Sequence, residues 1–449
     1  MKKGKSGNSK YYKQIFSIGL PILLGQLGVI ITGFVDVMMV GRYSTEALAS
    51  ASFVNSIFNL MNIVCLGFSY GITPIVGAYY AKGEDRKLGA VMKTALILNV
   101  IFGLLCGVVM LIVYVFLDEM GQPEHLLPLM KPYYLVIFVS MFPLVVVNAL
   151  RQFTDGITDT KLGMIILLGG NVLNIAGNWF LIYGKCGFPE WGLFGAGVST
   201  LVARLLMLVA YVICILVEKR YREYLYGFIE GFITFSEMRR VTRLSFPISM
   251  QMGMETAIFT IATVFVGWIG AEYLAAYQVV VVMGTFGFMV YYCFGASMSI
   301  MIANYAGVGD KEQVRRCAKS GYVIILGSAL LASLMFLLVG EQIIASFTED
   351  KVVIGIAMSL IVPWIVYQFG DATQVAYANA LRGIKCVMPV MKYAFISYIV
   401  LGIPMCYVFA FPIGGGIIGV FLSFALALLV AGLLFMRRFY KELEKGELK

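Results

Sequence analysis

The chain has 449 residues, of which 60% are hydrophobic and 13% charged, and its mean hydropathy is +0.88. A soluble protein of this size needs far more charge to cover its surface, so a polytopic membrane protein is predicted. The net charge of +9 is spread over short loops rather than gathered in one patch, which argues against a nucleic-acid partner.

Apolar windows of about 20 residues mark membrane-spanning helices. Twelve are predicted, at 13–39, 48–78, 91–117, 130–151, 162–184, 192–217, 244–269, 273–304, 320–340, 353–380, 389–411 and 415–436. The basic N-terminal segment MKKGKSGNSKYYK has no cleavable signal pattern, so the first helix is read as retained. Within it, the stretch 21–41 is almost wholly apolar yet carries Asp36. A charged side chain at that depth costs roughly 2.5–3.5 kcal/mol on insertion scales, and such residues are usually kept for a function. The fifth helix places Asn171, Asn174 and Asn178 on one stripe. The sixth places Thr200 and Arg204 on one face. Then comes the most polar interior stretch, 218–243, predicted to be a cytoplasmic linker between an N-lobe (1–217) and a C-lobe (244–449). Glu255 stands in the seventh helix. Tyr367 and Asp371, four residues apart and so on one helix face, stand in the tenth.

Of the 34 Lys and Arg, 28 fall in the two tails and the even-numbered loops. The odd-numbered loops hold only Arg42, Lys131, Lys185 and Lys351. The positive-inside rule then places both termini in the cytoplasm.

A shift of 226 residues superimposes the two halves. Pro21 lands on Pro247, Val40-Gly41 on Val266-Gly267, Gly83 on Gly309 and Lys93 on Lys319; Gly156-Ile157 meets Gly383-Ile384 at a shift of 227. Six helices per repeat give both halves the same polarity. This predicts an all-α membrane fold of twelve helices in two six-helix lobes, related by a pseudo-twofold axis along the membrane normal. The acids do not follow the duplication, because Asp36 meets Ala262 and Glu255 meets Val29. Glu255 lies two turns before the position matching Asp36, about 10 Å nearer the cytoplasm. Two separate acidic sites, one per lobe, are expected.

The bland alternatives are structural. Each acid could be a neutral interhelical hydrogen-bonding group or the partner of Arg204 or Lys392, the Asn stripe packing glue, and Tyr367 a core residue. The eight cysteines form no CxxC and His125 is the only histidine, which argues against a Cys/His metal site or a His-based triad. The loop GEDRKLG (83–89) has the wrong spacing for the major facilitator motif G-x-x-x-D-R-x-G-R-R.

Over nearly its whole length the chain resembles the multidrug and toxic compound extrusion (MATE) family, in its NorM-like branch. The likeness rests on Pro21, Asp36 and Val40-Gly41, on Asn171, Leu173, Asn174 and Asn178, on GAGVST at 195–200, on Glu255, on Tyr367 with Asp371, and on Leu381-Arg382-Gly383. It implies cation-coupled antiport that exports bulky, often cationic and amphipathic compounds by alternating access. It assigns the coupling cation, Na⁺ or H⁺ with Na⁺ favoured, to Glu255, Tyr367 and Asp371. It gives the N-lobe a second site for protons or substrate at Asp36, Asn174, Asn178 and Thr200, with Asn178 standing where some relatives carry an acid. Water exclusion disfavours a charged carboxylate, which then either takes a proton or holds a cation, and oxygen ligands suit a hard ion such as Na⁺. No enzymatic activity and no cofactor beyond the coupling ion are expected, in a monomer spanning a bacterial-type inner membrane. A lipid-linked oligosaccharide flippase of the same broad superfamily, or a major-facilitator-type drug antiporter, is the alternative. A membrane-embedded enzyme lacks any nucleophile or HExxH motif, and a channel lacks a repeated filter-like segment.

Overall fold

The computed structural model describes residues 6–121 and 123–445. The ends of both tails read above as cytoplasmic, 1–5 and 446–449, lie outside them. The helices, in chain order, are α1 (Ser6–Tyr43), α2 (Thr45–Ser69), α3 (Ile72–Ala81), α4 (Asp85–Val115), α5 (Leu127–Gly156), α6 (Thr160–Tyr183), α7 (Gly192–Val217), α8 (Arg222–Glu230), α9 (Phe235–Ile269), α10 (Ala271–Gly307), α11 (Lys311–Ala345), α12 (Lys351–Ser359), α13 (Ile361–Gly383), α14 (Val387–Ala394), α15 (Ile403–Ala410) and α16 (Gly416–Glu444). A π-helical turn, Phe395–Gly402, joins α14 to α15. Among the described residues there is no strand. Eleven stretches are long and apolar enough to cross a membrane, and α12 with α13, bent by 44°, makes a twelfth. The twelve-helix expectation therefore holds. Helix ends run past the apolar windows because polar first turns are solvated outside the hydrocarbon, and the second span is broken at 70–71 into α2 and α3. The outer faces are apolar, as lipid contact requires: Leu104, Leu105 and Val108 of α4 and Leu330, Leu331 and Leu338 of α11 are all exposed.

The duplication recurs in the backbone. Thr158 and Lys385, 227 apart, are two of the three non-glycine residues with positive φ among those described, at 66° and 61°. Each follows a helix that ends in the same hydrogen bonds, Asp159 N to Thr154 O and Cys386 N to Leu381 O. Gly83 and Gly309, 226 apart, have φ of 68° and 76°, a conformation that glycine adopts without a Cβ clash. The matched glycines in the sequence thus mark turns of one kind.

By contact the chain forms two compact units, Leu24–Ser249 and Met250–Lys449 together with Met1–Leu23. The change of unit falls inside α1 and inside α9, at positions 226 apart. Residues 235–243, read from the sequence as linker, are the first turns of α9. The rest of that segment is fastened to the first unit. Tyr221 and Arg220 both reach Asp159, Tyr224 packs edge-on against Phe153, and Lys93 donates to Gly231 O at 3.2 Å. Glycines let α8 and α4 touch backbone to backbone: a Cβ on Gly227 would sit 2.0 Å from Arg86 O, and one on Gly89 2.0 Å from Tyr224 O. Gly227→Val must push α8 away, a clash that typically costs 1–3 kcal/mol. The expected result is a lower melting temperature of the detergent-purified protein, measured by size-exclusion thermal challenge; an unchanged value would show that α8 is not clamped.

Candidate functional site

In the first unit, the site around Asp36 is built on α1, α6 and α7. Small residues allow the approach. A Cβ on Gly28 of α1 would lie 2.6 Å from Leu168 and 2.9 Å from the Asn171 amide nitrogen, and one on Gly177 of α6 2.4 Å from Ser199 of α7, the close packing that small residues permit in membranes. Asn178 Nδ2 donates to Asp36 Oδ1 at 2.5 Å. With its amide turned to satisfy both neighbours, Asn174 donates to the same oxygen at 3.1 Å and accepts from Thr200 Oγ1 at 3.2 Å. The four predicted residues Asp36, Asn174, Asn178 and Thr200 thus meet. Asn171, from the same stripe, does not; it lies against Gly28.

Arg204 is close enough to Asp36 to interact electrostatically, yet it forms no ion pair with it. Its guanidinium donates to Ser140 Oγ at 2.6 Å and stacks over Phe58 at 4.6 Å. Among the described residues no ion pair involves Asp36, Glu255 or Asp371, so the pairings with Arg204 and Lys392 do not form.

In the second unit, Glu255 of α9 and Asp371 of α13 lie within electrostatic reach of each other. Asp371 is 1% exposed and accepts a hydrogen bond from the Tyr291 hydroxyl of α10. Tyr367, one turn before Asp371, is buried between Phe259, Trp364 and Phe424, with both carboxylates among its electrostatic neighbours. The three predicted residues come together. Sequence reasoning missed what surrounds them. Gln251, one turn before Glu255, donates from Nε2 to Glu255 Oε2 at 2.8 Å, and Arg382 donates to Gln251 Oε1. Gln374 lies beside the same carboxylate. The i,i+4 spacing of Gln251 and Glu255 was a usable signal. Tyr291, 80 residues from its partner, offered none.

The chemistry available is that of oxygen donors in a water-poor setting, two carboxylates and a phenol, with one guanidinium nearby. Among the described residues no three His, Cys, Asp or Glu side chains group as metal ligands.

The MatE family model matches residues 21–180 and 247–408, each match opening on one of the paired prolines. The multidrug resistance protein NorM of Vibrio cholerae serotype O1 is 29% identical over 443 residues, covering 96% of this chain and 95% of that protein. The multidrug resistance protein PmpM of Pseudomonas aeruginosa is 30% identical over 407 residues, covering 88% and 83%. Among solved structures, an outward-facing multidrug resistance MATE family transporter aligns with a TM-score of 0.88 at 16% identity over 96% of each chain. The Vibrio cholerae MATE transporter VcmN in its bent form aligns at 0.85 and 16% over 98% of each. With the family model covering most of the chain in two matched blocks, the protein belongs to the MatE family, as a multi-pass membrane transporter of the MATE fold and not an enzyme.

Proposed function

We propose that the protein is a multidrug efflux antiporter that exports bulky, mostly cationic and amphipathic compounds in exchange for an inward cation. The observation that carries this reading is the charge balance of the two acidic sites. Glu255 and Asp371 are two buried carboxylates with one nearby guanidinium, Arg382, whereas Asp36 has Arg204 as a matching charge. The site in the second unit is left one positive charge short, and its oxygen donors, Tyr367 included, suit Na⁺. H⁺ would serve the same carboxylates. The site in the first unit, where Asp36 and Arg204 balance, is assigned to the substrate or to a proton through Asp36, Asn174, Asn178 and Thr200. Both termini are assigned to the cytoplasmic side of an inner membrane, with the monomer as the working unit because the duplication already supplies both halves.

Antiport needs the cation and the drug to prefer different lobe arrangements, since equal affinity for both shifts nothing. Loading of the acids from outside would release the drug and return the empty carrier. The test is ethidium efflux from proteoliposomes under a pure Na⁺ gradient and then a pure pH gradient. Transport should follow one gradient and collapse when it is dissipated. Efflux indifferent to both gradients would overturn the antiporter.

A further inference from the structure

We propose that Gln251 is an insulating spacer between Arg382 and Glu255, and that Arg382 acts as a positioning residue by fixing the orientation of the Gln251 amide. The proposal rests on the reading of Glu255 as a cation ligand.

The three side chains form one line. The Arg382 guanidinium donates to Gln251 Oε1. With its oxygen so engaged, the amide can present only Nε2 to its other neighbour, and that neighbour is Glu255 Oε2, at 2.8 Å. An amide free to turn would offer its oxygen to the carboxylate as readily, a repulsive contact. Gln251 and Arg382 are 1% and 5% exposed, so bulk water does not compete for either group. The charged and polar groups facing Glu255 from neighbouring helices are Asp371, Tyr291, Tyr367, Gln374 and Tyr398, with Arg382 beyond Gln251.

The spacing has a consequence. A guanidinium bonded directly to Glu255 would occupy the carboxylate and compete with any incoming cation. Held one amide away, it stays within electrostatic reach of the carboxylate, whose direct neighbours are then the neutral amides of Gln251 and Gln374. The duplication shows this line to be a specialisation of one half. Gln251, Glu255, Tyr291, Tyr367 and Asp371 stand where the first half has Gly25, Val29, Cys65, Ser140 and Leu144. Arg382 stands where the first half has Asp155, which pairs within its own helix with Arg151 at 3.8 Å.

The experiment measures the coupling-ion concentration for half-maximal efflux, the dye KM and the maximal rate in proteoliposomes containing the full chain. In Gln251→Ala the amide between Arg382 and Glu255 is gone, the guanidinium competes with the incoming ion for the carboxylate, and the half-maximal ion concentration should rise about tenfold, as for one charge-assisted contact, with dye KM unchanged. Adding Arg382→Gln to Gln251→Ala should recover most of that loss, because the competing cation is gone. Arg382→Lys, which still donates to Oε1, should stay close to the parent. Gln251→Asn, one methylene too short to bridge, gives a second variant should the alanine protein not fold, with the same rise expected. A shift below twofold in the Gln251 variants would overturn the proposal, as would a double variant at least as impaired as Gln251→Ala alone. A parent protein without any ion dependence would instead overturn the antiporter reading, so the two failures are distinct.

Discussion

Asp371→Asn and Glu255→Gln are each expected to reduce ion-driven efflux to near background while leaving folded protein in the membrane. Both substitutions keep shape and keep the hydrogen bond that holds the site. An Asn at 371 still accepts from Tyr291, and a Gln at 255 still accepts from Gln251 Nε2. What is lost is the negative charge. A charged contact in a water-poor site carries about 1.5–3 kcal/mol, which is about 10- to 150-fold in ion affinity. On the proposed reading that one cation binds between the two carboxylates, loss of either leaves the site neutral against Arg382, and a hard cation has no net charge to bind. Efflux of a fluorescent dye under an imposed ion gradient measures the loss, and surface expression checks the fold. Full ion-coupled transport by both variants would remove the cation site from the second unit.

Asp36→Asn should impair export and, where Asp36 serves the substrate, do so without changing the ion concentration that drives it. Asp36 accepts from two amides on one oxygen, Asn178 at 2.5 Å and the reoriented Asn174 at 3.1 Å. Its Asn replacement keeps an acceptor there and loses the charge, leaving Arg204 as the excess cation at that site. A cationic cargo is then repelled where it was attracted, and resistance of cells to a cationic dye should fall about tenfold, as expected for about 1.4 kcal/mol. If Asp36 serves the substrate and the ion is held at Glu255 and Asp371, as proposed, the half-maximal ion concentration should not move; a shift would assign Asp36 to a coupling proton. Normal dye resistance would reduce Asp36 to a structural role.

Much of this molecule could be read from the order of its amino acids. Hydrocarbon offers backbone groups no partners, so spans must be helices and appear as apolar runs; their number and the duplication follow from windows and matched turns. The expense of burying charge singles out Asp36, Glu255 and Asp371 without any coordinates. Helix spacing joins Asn174 to Asn178 and Tyr367 to Asp371, because neighbours on one helix are a matter of counting. Contacts between helices are not. That Arg204 turns to Ser140 and Phe58 rather than to Asp36, that Tyr291 holds Asp371, and that Arg382 reaches Glu255 only through Gln251 all depend on which faces of distant helices are pressed together. Packing also decided the fate of 218–243. Its charges mark it as a polar joint, yet Gly89 and Gly227 let its helix dock backbone to backbone, and its last turns continue straight into α9. The change from one compact unit to the other therefore falls inside α1 and α9, two to three residues past the matched prolines Pro21 and Pro247, and not in the polar segment.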